Sequence, residues 1–347
     1  MAVPTARPLQ EFALIQGLKR QFAHHAPGLI HGIGDDAAVV ETSSPRWWHL
    51  TTDLLAEGIH FTLTSTAPES IGYRAAMANL SDLAAMGAVP RYLLISLAIP
   101  KKVSQPQVYG LYRGMMKACR LYGVALIGGD TSASKAGLFL SITLVGTTAK
   151  RRALFRHGAK VGDQIYVSGT LGDSLAGLRL LANSKTPRSS QKQRSQLSRS
   201  HRQFLIRRHF HPTARVAEGQ WLNNGRLATA AIDLSDGLSG DLRHICAESG
   251  VGAEVEIENL PLSPACRAYA TAYGVSPIRL AITGGEDYEL LFTAPPRSHR
   301  ALERQARARG YRITRIGTIR PQKFGIQITS HGRTQPLPLT SYEHFRR

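Results

Sequence analysis

Residues 92–130, YLLISLAIPKKVSQPQVYGLYRGMMKACRLYGVALIGGD, read as an extended run at 92–99, a helix over 105–122 and a second extended run at 124–127 that leads into Gly-Gly-Asp. The same alternation continues in both directions. Upstream come a helical pattern over 10–26, stopped by Pro27-Gly28, extended runs at 37–40 and 47–52, and a helix over 69–86. Downstream, 139–145 is extended, and a second cycle starts near residue 150 with strands at 164–168 and 226–232 and helices over 174–183 and 238–248. Extended runs at 254–257, 288–293, 312–316 and 325–328 complete it. Such alternation predicts an α/β or α+β architecture in two units, 1–150 and 151–347.

The composition fits two folded domains. A chain of 347 residues with 43% hydrophobic and 19% charged residues is long and apolar enough to bury a core, which excludes a disordered chain and a disulfide-dense miniprotein. Cys119, Cys246 and Cys266 form no CxxC pair and have no metal-ligand spacing. There is no signal-peptide pattern, and the longest apolar uncharged run, 136–149, is too short to span a bilayer, so a cytoplasmic protein without a membrane partner is expected. The net charge of +19 invites a nucleic-acid reading until it is mapped. Residues 183–209 hold eight Lys and Arg and no acid, and residues 297–347 hold twelve against two acids. The rest is close to neutral. Residues 184–201, SKTPRSSQKQRSQLSRSH, are too polar to order themselves and read as a basic mobile insertion.

The scarce aspartates say more than the cations. Residues 1–150 contain five, Asp35, Asp36, Asp53, Asp82 and Asp130, in the settings GIGDDA, LTTDLL, NLSDLA and IGGDTS. One aspartate beside Gly, Ser or Thr at the end of an apolar run is usually a helix cap or turn residue; five of five in that setting point to a shared site. The second half repeats the theme in DLSDG (Asp233, Ser235, Asp236) and GGEDY (Glu286, Asp287). Hard cations such as Mg²⁺ take carboxylates, phosphate oxygens and water. With no Walker loop and no protein-kinase motif set, a nucleotide would be held through metal ions and glycine-loop amides. His60 is either a substrate contact or a structural histidine, and Arg156 either a phosphate partner or a solvated arginine. Asn79 and Ser81 read as capping or packing, beside a run at 84–87 that suggests a close helix contact. No nucleophile pairing stands out.

Taken in order, GIGDDAAVV, TTDLLAEGIHF, NLSDLAAMGAVP, GGDTSAS, SGTLGDSLAGL, IDLSDGLSGDL, GGEDYELLFT and SYEHF resemble the thiamine-monophosphate kinase family, over residues 11–345. The resemblance implies the fold shared with aminoimidazole ribonucleotide synthetase: an N-terminal domain (1–150) that pairs across a homodimer into a β-barrel, and a C-terminal α/β domain (151–347). It implies transfer of the ATP γ-phosphoryl group to thiamine monophosphate, the last step of thiamine diphosphate biosynthesis. It also implies several Mg²⁺ ions held by Asp36, Thr51, Thr52, Asp53, Asp82, Asp130, Asp233 and Asp236; beyond it, we expect Asp53 and Asp130, between them, to hold the metal nearest the transferred group. Gly129, Asp130, Arg156 and Ser235 would contact ATP, and His60, Glu286 and Tyr342 thiamine monophosphate. Asp35 is assigned a structural role. A monovalent-cation requirement is left open.

Three alternatives are weighed against this reading. One is another ATP-using synthetase or kinase of the same fold, such as selenophosphate synthetase or aminoimidazole ribonucleotide synthetase; the first of these wants a reactive cysteine or selenocysteine near the N-terminus, whereas the first cysteine here is Cys119. A nucleic-acid-binding protein would show an RNP, KH or helix-turn-helix signature, and none is present. A catalytically dead nucleotide sensor would bind ATP and form no product.

Overall fold

The computed structural model describes residues 11–23, 26–182 and 196–338. After helix α1 (Glu11–Phe22), the first sheet is built from β1 (Leu29–His31), β2 (Ala38–Glu41), β3 (Arg46–Ala56), β4 (Val89–Pro100), β5 (Ala125–Ser134) and β6 (Phe139–Ala149), in the order β1-β2-β3-β6-β4-β5. β4 and β5 pair in parallel, joined by α3 (Gln105–Leu121), because parallel neighbours need a crossover long enough to hold a helix. Ser104 and Gln107 close a capping box at the start of α3.

Side chains alternate across this sheet. On β3, His49, Thr51 and Leu55 are buried while Leu50, Thr52 and Leu54 are exposed; on β6, Leu140, Ile142 and Leu144 are buried. The covered face packs on α2 (Pro68–Ala85), of whose 18 residues 14 are buried. A helix buried all round must be enclosed on both sides. The second unit supplies the other side through α6 (Val216–Gly225), where a Cβ added at Gly219 would fall 1.9 Å from the Ala84 carbonyl oxygen. The run at 84–87 is therefore the close helix contact that its small residues suggested.

The second unit contains β7 (Gln164–Ser168), α4 (Asp173–Ala182), α5 (Arg199–Phe210), α6, β8 (Ala230–Asp233), α7 (Leu238–Ser249), β9 (Val251–Glu256), α8 (Pro264–Tyr273), α9 (Pro277–Thr283), β10 (Leu290–Ala294), α10 (His299–Ala308), β11 (Ile313–Pro321), β12 (Ile326–Ser330) and β13 (Arg333–Pro336). Its sheet runs β13-β12-β9-β11-β7-β10-β8, antiparallel except for β12 with β9. Ile165, Val167, Ile232 and Leu291 enter its own core. Tyr166, Ala231 and Phe292, on the other face, join the core around α2. The two units thus share one apolar body.

Several sequence expectations change here. The barrel expected across a homodimer is not among them: among the described residues the first sheet is open, with no pairing between β1 and β5, which is compatible with a barrel completed only by a second chain. The basic insertion ends before 201: Leu197 is buried and Ser198 caps α5, its Oγ accepting the His201 amide at 3.1 Å, while 184–195 lie outside the described residues. Its neighbour Arg208 is not a peripheral charge either, since it pairs with buried Glu289 at 2.8 Å. The extended run at 226–232 is a strand only from Ala230, because Arg226 takes the left-handed conformation that ends α6. No helix of the described residues is long and apolar enough to cross a membrane.

Candidate active site

Three aspartates from three distant segments meet where the two units touch. Asp36 precedes β2, Asp82 lies on the last turn of α2, Asp233 ends β8, and one carboxylate oxygen of each lies within 4.8 Å of the others. Ser81 donates to Asp233 Oδ2 at 2.6 Å and Thr51 to Asp82 Oδ2 at 2.5 Å, fixing both carboxylates. Arg156 donates to Asp36 Oδ1 at 2.5 Å from one guanidinium nitrogen and 3.2 Å from Nε. The other oxygen, Asp36 Oδ2, is buried without a hydrogen-bond partner among the described residues.

This cluster carries more negative charge than its surroundings balance. Burial, then the charge of Asp36, lifts Asp53 to about 6; burial and the same neighbour lift Asp233 to about 8. Burial and the charges of Asp53, Asp233 and Asp36 hold Asp82 well above the usual carboxylate range. Asp36 is raised by burial, with Arg156 opposing. Buried like charges of this kind need a cation or protons. The donors are all oxygen, one faces inward unpaired, and that is the set a hard divalent cation takes, so the residues fit Mg²⁺.

A second constellation lies along α2 from the cluster. In GGEDYEL each acid has its own task. Glu286 pairs with buried Arg74 at 2.5 Å, and the same Arg74 nitrogen donates to the His60 carbonyl at 2.9 Å. Asp287 accepts the amides of Gly172 (2.5 Å) and Ser174 (3.0 Å) at the start of α4, and burial raises its carboxyl to about 7. Glu289 is fully buried between Arg208 and Arg215, whose charges overcome the burial and keep its carboxyl below the ordinary value. Glu286 and Tyr288 both take positive φ, 62° and 51°, a conformation rare outside glycine, and the turn is held by the Glu286 amide on Ser235 O (2.8 Å) and the Tyr288 amide on Leu234 O (3.0 Å).

His209 completes this region. Its Nε2 lies 3.2 Å from Arg74, which can only donate, so Nε2 is the acceptor and the proton sits on Nδ1, 3.1 Å from Ser174 Oγ. Burial, aided by Arg74, lowers its pKa to about 3 and keeps the ring neutral.

The structure brings together Asp36, Thr51, Asp53, Asp82, Asp233 and Arg156 in one region, and His60 with Glu286 in another. It places Thr52 elsewhere: its hydroxyl is on the open face of β3, donating to Ile142 O at 3.1 Å. Asp130 is also apart, exposed on β5 and level with Ser96 on that same open face. β5 stands three strand spacings from β3, about 14 Å. Gly129 is required by the sheet itself, since a Cβ there would lie 1.9 Å from the Ile95 carbonyl oxygen. Asp236 extends the acidic region: its amide donates to Asp241 at 3.3 Å, and burial with the charges of Asp236 and Asp233 raises Asp241 far above its usual range. Tyr342 lies outside the described residues. Arg74, His209 and Asp241 were not anticipated, and Ser81 was read as packing. An arginine within the apolar run 71–80 is the signal that marks Arg74, because a cation inside a buried helix requires a partner.

Family models described as AIR synthase related protein, N-terminal domain and C-terminal domain match residues 34–148 and 160–328. The chain is therefore one of the two-domain AIR synthase related proteins, with its carboxylate cluster where the two domains meet. Thiamine-monophosphate kinase of Aquifex aeolicus is 41% identical over 289 residues, 83% of this chain and 87% of that protein; the Bacillus subtilis protein of the same name is 32% identical over 339 residues, 97% and 100%. A solved structure described as AaThiL complexed with AMPPCP and TMP superposes with a TM-score of 0.84 at 36% identity, covering 99% of this chain and all of that one. The chain belongs to the thiamine-monophosphate kinase family.

Proposed function

We propose that the protein transfers the γ-phosphoryl group of ATP to the phosphate of thiamine monophosphate, giving thiamine diphosphate and ADP in the cytoplasm. The buried, under-compensated cluster of Asp36, Asp82 and Asp233 carries this reading, because its all-oxygen donors suit divalent cations and a relative's structure is described as complexed with AMPPCP and TMP. Asp36, Asp53, Asp82, Asp233 and Asp236, with Thr51, would hold the Mg²⁺ ions. When bound, Mg²⁺ screens the repulsion between two phosphate groups and stabilises charge on the transferring one. Thr51 and Ser81 hold their carboxylates in place beforehand, and Arg156, already at the cluster, is positioned to donate to a phosphate oxygen. No general base is required, since the attacking phosphate oxygen is ionised at neutral pH. His60 and Glu286, with Tyr342, bind the thiamine end, and Ser235 with Gly129 and Asp130 the nucleotide.

In this reading the functional unit is a homodimer, each N-terminal domain (1–150) closing the other's open sheet into a barrel beside a C-terminal domain (151–347). That arrangement accounts for Asp130: on an exposed edge strand and facing away from its own Asp53, it serves the partner's cluster. The test is an assay with ATP, Mg²⁺ and thiamine monophosphate, following thiamine diphosphate by chromatography. Product that depends on both Mg²⁺ and thiamine monophosphate is expected; folded protein that forms none overturns the proposal.

A further inference from the structure

A second cluster, of different chemistry, lies one residue away from the first. His31 at the end of β1, Asp35 in the following loop and His157 between the two family-model spans each point a ligand atom to within 4.8 Å of the others. Asp35 was expected to be structural, and its carboxylate does hold the chain, Oδ1 accepting the Asp36 amide at 3.0 Å and Oδ2 the Arg156 amide at 3.1 Å. Each oxygen has a second lone pair.

The spacing of His31 and Asp35 is not that of a hydrogen bond. His31 Nε2 is 3.7 Å from Asp35 Oδ2, too far for a hydrogen bond, and is buried with no partner among the described residues. Two ligands bound tetrahedrally at 2.0–2.2 Å stand about 3.4 Å apart, so 3.7 Å is close to the separation of two atoms on one metal ion. The His157 ring stacks on His31 with centroids 5.6 Å apart and planes at 22°, and Phe155 backs both at 4.8 and 5.5 Å, which restricts the two imidazoles to this side of the loop. Nearby Lys19 is offset by Glu248 at 3.8 Å.

We propose that His31, Asp35 and His157 form a binding site for a borderline transition-metal dication such as Zn²⁺, separate from the carboxylate cluster. Two imidazoles and one carboxylate suit zinc, whereas Mg²⁺ prefers an all-oxygen set. His157 is exposed, which gives the ion a path in and leaves a fourth position to water. The bound ion ties β1 of the first sheet to the segment that links the two domains. Asp35 and Asp36, adjacent in sequence, thus face two sites that favour cations of different hardness.

The test uses the full-length protein in saturating Mg²⁺, so that the carboxylate cluster is filled, and titrates Zn²⁺ by calorimetry and Co²⁺ by visible absorption. The wild type is expected to take up one equivalent that His31→Gln and His157→Gln bind at least about tenfold more weakly, with the Co²⁺ absorption weakened in both. A Zn²⁺-dependent rise in melting temperature is expected in the wild type and not in the variants. Circular dichroism checks that both variants fold. Absence of wild-type uptake, or equal uptake by all three proteins, overturns the proposal; equal uptake would assign the ion to other histidines.

Discussion

Arg74 shows how much one side chain can join. It lies in the middle of a buried helix of the first domain and holds a glutamate of the second, the carbonyl of His60 and the ring of His209. A guanidinium is suited to this because it donates in several directions and stays charged when buried. Replacing Arg74 with Ala leaves Glu286 without its cation and frees the 286–288 turn, at a cost of about 2 kcal/mol in binding at that end. The expected outcome is a KM for thiamine monophosphate raised by roughly 30-fold with the KM for ATP changed far less, measured by steady-state kinetics. An equal rise in both would show that Arg74 merely holds the fold.

At the scale of elements, β5 is the most telling. Nine of its ten residues, 125–133, are exposed, among them Leu126 and Ile127, and an edge this long and open is a template for another chain. If Asp130 acts on the partner's cluster, Asp53→Asn and Asp130→Asn are each inactive alone, yet mixing them restores one working site per heterodimer. Random exchange of subunits then returns about a quarter of the wild-type rate, read in the chromatographic assay; no recovery after verified exchange would place Asp130 in its own subunit's site. Apart from the short β1, which was not read, the strands and helices of the first domain were legible because their apolar positions repeat at two or at three to four residues. β5 was read only as 124–127, since GGDTSAS looks like a turn and is held extended by β4. α5 was missed because RSHRQFLIRRHF is basic around most of its surface and buries only Leu205 and His209. In the site, Asp36, Asp53, Asp82 and Asp233 were legible from their glycine and hydroxyl settings, whereas Asp130 shares that setting and lies apart on β5. The strand period also carried a warning: Thr51, Thr52 and Asp53 cannot all face one side of β3.

For the whole molecule, the acidic cluster sits on the seam between two domains that share a core, so its protonation bears on the stability of the entire chain. Asp53 and Asp233 have folded-state values raised to about 6 and about 8, above the ordinary carboxylate value. Between about pH 4 and pH 8 the folded protein therefore binds more protons than the unfolded one, and stability falls as pH rises through that window. Without divalent cation the melting temperature should drop steadily from mildly acidic to mildly basic pH. Saturating Mg²⁺ should flatten the decline, because an ion bound only by the folded state adds stability where the carboxylates are charged. Melting curves across that range with and without Mg²⁺ test this, and a metal-free protein that gains stability towards pH 8 would contradict it. The helix beneath the seam adds a consequence of its own. Ser81 and Asp82 follow Arg74 by seven and eight residues on one side of α2, so about 12 Å of rigid helix separates the Arg74–Glu286 pair from the carboxylates. If Glu286 binds the thiamine end, as proposed above, α2, enclosed on both sides, serves as a ruler: it sets the length of molecule that can reach from Glu286 to the carboxylate cluster, and a shorter or longer acceptor would be held out of line.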